Sequence, residues 1–520
     1  MSTVMQAGST LTRDALTVLQ PGFGGLRPPA WLLRRLDEGL TGVGLFGRNV
    51  RDAGQVADLT AELRSVRPEV LVAMDEEGGD VTRLEVRRGS SFPGALALGA
   101  VDDTALTRAV YRELGRRLAE VGVTMDWAPC ADVNSDPRNP VIGVRSFGAD
   151  PALAARHTAA AVRGLHEAGV VAVVKHFPGH GDTSVDSHLA LPRIDAPLDV
   201  LRERELVPFR AAVQAGAKAV MTAHLVVPAL DPERPATLSH RVLTGLLRRP
   251  QAEGGLGFDG VISTDAIEMQ AIADTYGMAR GAVLALAAGA DALCIGFHGD
   301  DELLLSLRDA IVAAVRAGEL AEERLADAAA RVRALARWTA EQRTGGRGAA
   351  AAAQGSASAA PAALAGPADS ADSAVGLTAA RRALRTTGGA GALPLTAPAY
   401  VACFTPVANS AAGEETPWGL GPELARLLPG TTSGSYGPGA TGGDAAAIAG
   451  ERPVVAVVRD LHRHAWMRTA LAGLLAARPD TVVVEMGVPQ SPPQGAAHLA
   501  THGASRVCAA AAAEALTAPR

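Results

Sequence analysis

The chain reads as an α/β protein: a (β/α)8 barrel of the TIM type over residues 1–340, then a smaller α/β sandwich domain over residues 376–520. Three observations predict this. Eight short apolar runs, each ending in polar residues or glycine, alternate with stretches of helical spacing between Ala15 and Leu335. A segment dominated by Ala, Gly, Ser and Pro over residues 341–375 breaks that rhythm. Apolar runs then return, with a helical stretch between the last two. With 520 residues the chain exceeds what one core organises, so two domains are expected.

The eight runs, in order, are ALTVLQPGF from Ala15, VGLFGRN from Val43, VLVAMDEEGG from Val70, VTMDWAPCADV from Val123, VVAVVKHF from Val170, AVMTAHL from Ala219, GVISTDA from Gly260 and ADALCIG from Ala290. Segments such as TALTRAVYRELGRRLAEVG from Thr104 carry apolar residues at helical spacing between them. Eight such units fit a barrel of about 250 residues enlarged by insertions. The segment 341–375 has almost no large apolar side chain to offset chain entropy and reads as a flexible linker, with an alanine run able to form transient helix. Beyond it, AYVACF from Ala399, RPVVAVVRD from Arg452 and TVVVEMG from Thr481 read as strands of a mostly parallel sheet. TALAGLLAARP from Thr469 reads as a helix, and TTSGSYGPGATGG from Thr431 as a mobile loop.

Composition narrows the function. A net charge of −6 speaks against nucleic-acid binding. Cys130, Cys294, Cys403 and Cys508 are widely spaced and form no CxxC pair, so neither a disulfide framework nor a zinc ribbon is expected; Cys130 and Cys294 fall in apolar runs and read as buried thiols. The first residues lack a basic stretch followed by an apolar one, and no run of about 18 apolar residues occurs. A cytoplasmic protein without membrane contact is the expectation. No GxxxxGK[ST] phosphate loop is present.

Polar residues gather where the runs end: Asp75, Asp132, Lys175, His176, His224 and Asp265. In barrels that end carries the chemistry. The stretch Lys175–His188, KHFPGHGDTSVDSH, leaves a strand and becomes irregular at Pro178, Gly179 and Gly181. It brings Asp186 within two residues of His188, a carboxylate able to orient an imidazole that moves protons near neutral pH. Asp265, at a strand end before a helical stretch, reads equally as a helix N-cap worth about 1 kcal/mol or as a nucleophile. Lys175 needs an anion, a neighbouring carboxylate such as Asp132 or a ligand. Asp75 lies beside Glu76 and Glu77 and suits sugar hydroxyls; Arg83 and Arg145 suit a carboxylate, a ligand or, for Arg145, plain solvent. A metal set drawn from His176, His180, His188, Asp182 and Asp186 is disfavoured: Pro178 and Gly179 deny His176 and His180 a shared helix face, and no HExxH occurs.

The segments PGFGG, GLFGRN, AMDEEGGDVTRL, DWAPCADV, NPVIGVRSFG, KHFPGHGDTSVDSH, VMTAHL and STDAIEM together resemble family 3 glycoside hydrolases of the NagZ-like β-N-acetylglucosaminidase group. RPVVAVVRDLHRH and RPDTVVVEMG resemble the second domain of the two-domain members. The resemblance implies retaining exo-hydrolysis of terminal β-linked N-acetylglucosamine from cell-wall muropeptides, as in peptidoglycan recycling, or from chito-oligosaccharides. It implies Asp265 as nucleophile, His188 as acid/base and Asp186 as its orienter. Asp75, Arg83, Arg145, Lys175 and His176 match positions that hold the sugar. No metal or cofactor is implied, and the partner is a small-molecule glycoside. Phosphorolysis is the alternative, because a neutral His does not repel a phosphate acceptor; a metal-dependent barrel hydrolase is the other. Asp80 departs from the family pattern, standing where a basic residue is common, and the linker is longer than expected.

Overall fold

Short apolar runs give strands of two to seven residues, most of them buried on both faces, the condition for a parallel sheet covered by helices. The computed structural model describes residues 2–185, 191–296, 299–353, 374–407, 411–413 and 415–519. The chain divides into two units. The first comprises Met1–Glu76, Thr107–Val133 and Asp150–Ser370; the second comprises Glu77–Leu106, Asn134–Ala149 and Ala371–Arg520. Two excursions from the barrel region therefore belong with the C-terminal part of the chain.

All eight expected strands form in the first unit. They are β1 (Leu19–Pro21), β2 (Gly42–Leu45), β3 (Leu71–Met74), β4 (Met125–Asp126), β5 (Val171–Phe177), β6 (Ala219–Thr222), β7 (Val261–Thr264) and β8 (Leu293–Ile295). Strands β2 to β7 pair in chain order, all parallel. A parallel bridge between Ser263 and Ala292 leads on to β8, which pairs with β1. Among the described residues no ladder joins β1 to β2. The register of β5 against β6 shifts between Val174 and Phe177, a local irregularity that re-aims Lys175 and His176. Leu71, Ala73, Met125, Trp127, Val171, Val173, Ala219 and Met221 share one core cluster, the alternate residues of successive strands. Helix Glu322–Ala353 adds Val332, Leu335 and Ala336 to it and runs on into the segment read as linker. Helix Pro151–Glu167 starts with Asp150 accepting from the amides of Ala152 and Leu153 and Pro151 in the first turn, and it packs on helix Leu206–Gln214.

The second unit is built on β9 (Arg385–Gly388), β10 (Tyr400–Phe404), β11 (Thr432–Tyr436), β12 (Val454–Val458), β13 (Val482–Glu485) and β14 (Ala497–Ala500). Their order across the sheet is β11-β10-β12-β13-β14-β9, parallel except for β9 at the edge. Val401, Val455, Val457, Val482, Val484 and Leu499 face one core cluster, and Ala402, Phe404, Ala456, Val458 and Val483 face the other, so both faces of the sheet are covered. The expected sandwich is thus present. One expectation fails: TTSGSYGPGATGG is not a mobile loop. Its first half is edge strand β11, in register with β10 from Tyr400↔Thr432 to Phe404↔Tyr436 and fixed by a 2.6 Å bond between the Tyr400 and Tyr436 hydroxyls. Its second half opens helix Gly442–Ala449, with a capping box between Thr441 and Asp444.

Candidate active site

The polar residues at the strand ends of the first unit meet one another in two charge pairs. Asp75 follows β3, and Lys175 lies within β5; Lys175 Nζ donates to Asp75 Oδ1 at 2.6 Å. The ammonium side chain is only 3% exposed, so the Asp75 carboxylate is what makes its burial tolerable. His176 pairs with Asp132, which follows β4. The carboxylate accepts from His176 Nδ1 at 2.7 Å, from the His176 amide at 3.2 Å and from the His180 amide at 2.7 Å; the Cys130 thiol donates at 3.1 Å. Because a carboxylate only accepts, Nδ1 of His176 carries a proton. Burial opposes the charge on Asp132, but the two imidazoles and the thiol outweigh it and hold its pKa below the ordinary range. Burial pushes the His180 pKa down to about 4, with His176 adding to the effect and Asp132 opposing it.

Asp265 follows β7 and is half-buried. Its Oδ1 accepts from the Ala266 amide at 2.8 Å. It does not cap a helix: the next one, Gln270–Tyr276, has Met269 at its N-cap. His224, at the end of β6, holds the turn after Asp265, with Nε2 donating to the Ala266 carbonyl at 2.9 Å and Nδ1 meeting the Thr237 hydroxyl at 2.8 Å. Burial raises the Cys294 thiol pKa well above normal, with the charges of Glu268, Asp265 and Asp75 adding to this and Lys175 opposing it. Asp126, at the end of β4, is fully buried and accepts from the Glu76 amide at 3.0 Å. Burial, against that hydrogen bond, pushes its pKa well above the usual carboxylate range, which favours the protonated form.

Of the residues singled out from sequence, Asp75, Lys175, His176 and Asp265 come together here. Lys175 takes Asp75 rather than Asp132 as its partner. Arg83 and Arg145 belong to the second unit. Arg145, 7% exposed, forms a forked pair with Glu77 through contacts of 2.7 to 3.2 Å, so it is not a solvent-facing arginine. Arg83 donates to the carbonyls of Ala411 and Ala412 at 2.6 and 3.2 Å. Asp186 and His188 lie outside the described residues. Upstream of them, Asp182 accepts from Arg204 at 2.5 Å, and Arg204 Nε donates to the buried Glu205 at 2.6 Å. Sequence reasoning left Asp126, Glu205 and the Asp132–His176 pairing unassigned; strand-end position pointed to Asp132 and His176 but not to their contact.

Cys130, Asp132 and His176 each bring a possible ligand atom within 4.8 Å of the others. Asp132 already accepts four hydrogen bonds in that cluster, which accounts for the gathering without an ion. No helix among the described residues is long and apolar enough to cross a membrane.

The chain is similar to beta-hexosaminidase A of Pseudoalteromonas piscicida, 34% identical over an alignment of 346 positions that covers 62% of this chain and 56% of that one. It is 40% identical over 253 residues to beta-hexosaminidase LpqI of Mycobacterium tuberculosis, covering 48% of this chain and 63% of the other. It thus spans less than two thirds of the length of these curated relatives. A family 3 beta-N-acetylglucosaminidase structure from Paenibacillus sp. superimposes with a TM-score of 0.83 at 34% identity, covering 98% of this chain and 96% of that one. The model of the glycosyl hydrolase family 3 N-terminal domain matches residues 34–335. With that match over more than half its length, the chain belongs to glycosyl hydrolase family 3.

Proposed function

We propose that the protein is a retaining β-N-acetylhexosaminidase that removes terminal β-linked N-acetylglucosamine, with muropeptides or chito-oligosaccharides as its substrates. The observation that carries the reading is that Asp75, Asp132, Lys175, His176 and Asp265 all stand at the carboxyl ends of strands in one parallel sheet, Lys175 paired with Asp75 and His176 with Asp132. The names of the similar proteins support the same reaction class.

In this reading the Asp265 carboxylate attacks the anomeric carbon, and the glycosidic oxygen leaves with a proton from His188, oriented by Asp186. Water, deprotonated by His188, then opens the glycosyl ester and returns Asp265. Asp75 and Lys175 hold sugar hydroxyls between a carboxylate and an ammonium. Asp132 fixes the ring of His176 so that Nε2 faces away from the pair. Arg83 and Arg145 keep the sugar-binding role that the family pattern gives them, and Asp186 and His188 enter from the sequence alone.

A panel of nitrophenyl glycosides tests the proposal. The β-N-acetylglucosaminide is expected to be cleaved and the β-glucoside nearly untouched. Asp265→Asn is expected to lower kcat on the order of 10³-fold or more. Full turnover by that variant would end the assignment. Products are N-acetylglucosamine in the presence and absence of phosphate; a sugar 1-phosphate would make the enzyme a phosphorylase.

A further inference from the structure

The second unit contains a cavity of about 320 Å³ at one defined place in its sheet. The chain leaves β10 for β11 on one side and returns past β10 to β12 on the other, so the strand order reverses between β10 and β12. Loops that follow those two strands diverge, and the crevice they leave at the carboxyl ends is where open parallel sheets take ligands. Thr405 lines the cavity from the end of β10 and Arg459 from the end of β12; Trp418, Asp80 and Ser505 complete it.

The walls are built rather than incidental. Arg459 pairs with Asp80, a buried carboxylate that also accepts from the Ala504 amide at 2.8 Å. The guanidinium lies 5.5 Å from the centroid of the Trp418 ring. Two non-glycine residues with left-handed backbone flank the cavity, Asp460 at φ 54° after Arg459 and His502 at φ 59° before Ser505. Such conformations persist where the surroundings enforce them. Glu485 does so for the first, accepting from the amides of Asp460, Leu461 and Gly487 at 2.9, 3.1 and 2.8 Å.

Switch-point crevices commonly take phosphates on a helix N-terminus. Here that position is filled by the chain itself. Ser505 caps helix Arg506–Thr517, and the preceding amide, of Ala504, is given to Asp80. The Arg459–Asp80 pair also leaves the cavity with no net charge from these two groups. What remains is an indole beside an ion pair that both donates and accepts, which suits an uncharged ring bearing hydroxyls. We propose that this cavity is a saccharide-binding site. The inference rests on the glycoside reading above and adds a binding site in the second unit to it.

The test uses the full-length Asp265→Asn chain, titrated calorimetrically with chitotriose and separately with AMP. Adding Trp418→Ala is expected to weaken chitotriose binding at least tenfold or to delete one of two sites, Thr405→Val to weaken it severalfold, and AMP to give no heat. Should Trp418→Ala fail to fold, Thr405→Val and Trp418→Phe decide. Chitotriose bound by folded variants as tightly as by the parent overturns the proposal, as does AMP binding lost on changing Trp418. The wild-type chain separates the two claims: no cleavage of any glycoside removes the underlying reading, whereas cleavage with unaltered variant binding removes this inference alone.

Discussion

Asp132→Asn changes one atom in the most densely bonded carboxylate of the first unit. In the native site Oδ2 accepts from His176 Nδ1 at 2.7 Å and from the Cys130 thiol at 3.1 Å, while Oδ1 serves two backbone amides. Asparagine keeps one acceptor and puts an NH₂ where Oδ2 stood, so that donors face donors. Turning the amide over only moves the conflict to the backbone amides of His176 and His180. The imidazole relieves it by shifting its proton to Nε2 and accepting at Nδ1. The cost is a charge-assisted hydrogen bond, about 1.5–3 kcal/mol, which is roughly 10- to 150-fold in kcat/KM if His176 touches the sugar. The assay is kcat/KM on the nitrophenyl β-N-acetylglucosaminide, with ¹⁵N shifts of His176 reporting which nitrogen is protonated. Activity within twofold of wild type, with Nδ1 still protonated, would refute the reasoning.

Two further perturbations probe the same strand ends. Lys175→Met removes the ammonium hydrogen bond to Asp75, and a charged hydrogen bond worth about 2 kcal/mol should cost on the order of 30-fold in kcat/KM; an unchanged value would remove Lys175 from the proposed sugar site. Glu205→Gln tests a buried acid whose pKa burial raises from 4.5 to about 7, with Arg204 opposing. A raised pKa contributes stability that is complete below 4.5 and lost as pH rises through 7, so the wild type weakens over that window and the Gln variant does not. Relative to wild type, the variant should gain up to about 3 kcal/mol between pH 4 and pH 8.5. Urea unfolding at the two pH values measures this, and an equal difference at both would sink the idea.

The barrel was legible because its strands are continuous apolar runs, such as Val171–Val174 and Val261–Ile262, that cannot be placed anywhere but inside. Strands β9, β11 and β14 were not: RTTG and TSGSY lie mostly exposed at the two edges, and AHLA is too short to show a period. The strand-end polar residues Asp75, Asp132, Lys175, His176 and Asp265 were legible because each ends a run, but their partners were not. Lys175 and His176 are consecutive on β5, where its register against β6 shifts. They reach different neighbours, Asp75 beyond β3 and Asp132 beyond β4. That choice depends on register, set by the bridge of Cys130 to Lys175, which no local pattern encodes. Arg145 failed as a surface residue for a similar reason, since Glu77, 68 residues away, is the partner that makes its burial possible.

Burial alone does not decide the charge of this site. Asp126, Asp132 and Glu205 are all nearly or fully inaccessible, yet their proton affinities diverge. Asp132 accepts four hydrogen bonds and keeps its charge far into acid. Asp126 has the Glu76 amide on Oδ1, no partner on Oδ2 among the described residues, and Glu76 and Asp75 as charged neighbours. Glu205 has Arg204 on one oxygen and, among the described residues, no hydrogen-bond partner on the other, and its pKa is raised to about 7. Desolvation disfavours the charged form in every case, so the number and charge of donors set the order. Where β3, β4 and β5 end, the buried acid beside Asp75 is therefore biased toward its protonated form and the one beside His176 toward its ionised form. Lys175 gives its 2.6 Å hydrogen bond to Asp75, the more exposed of its two acidic neighbours.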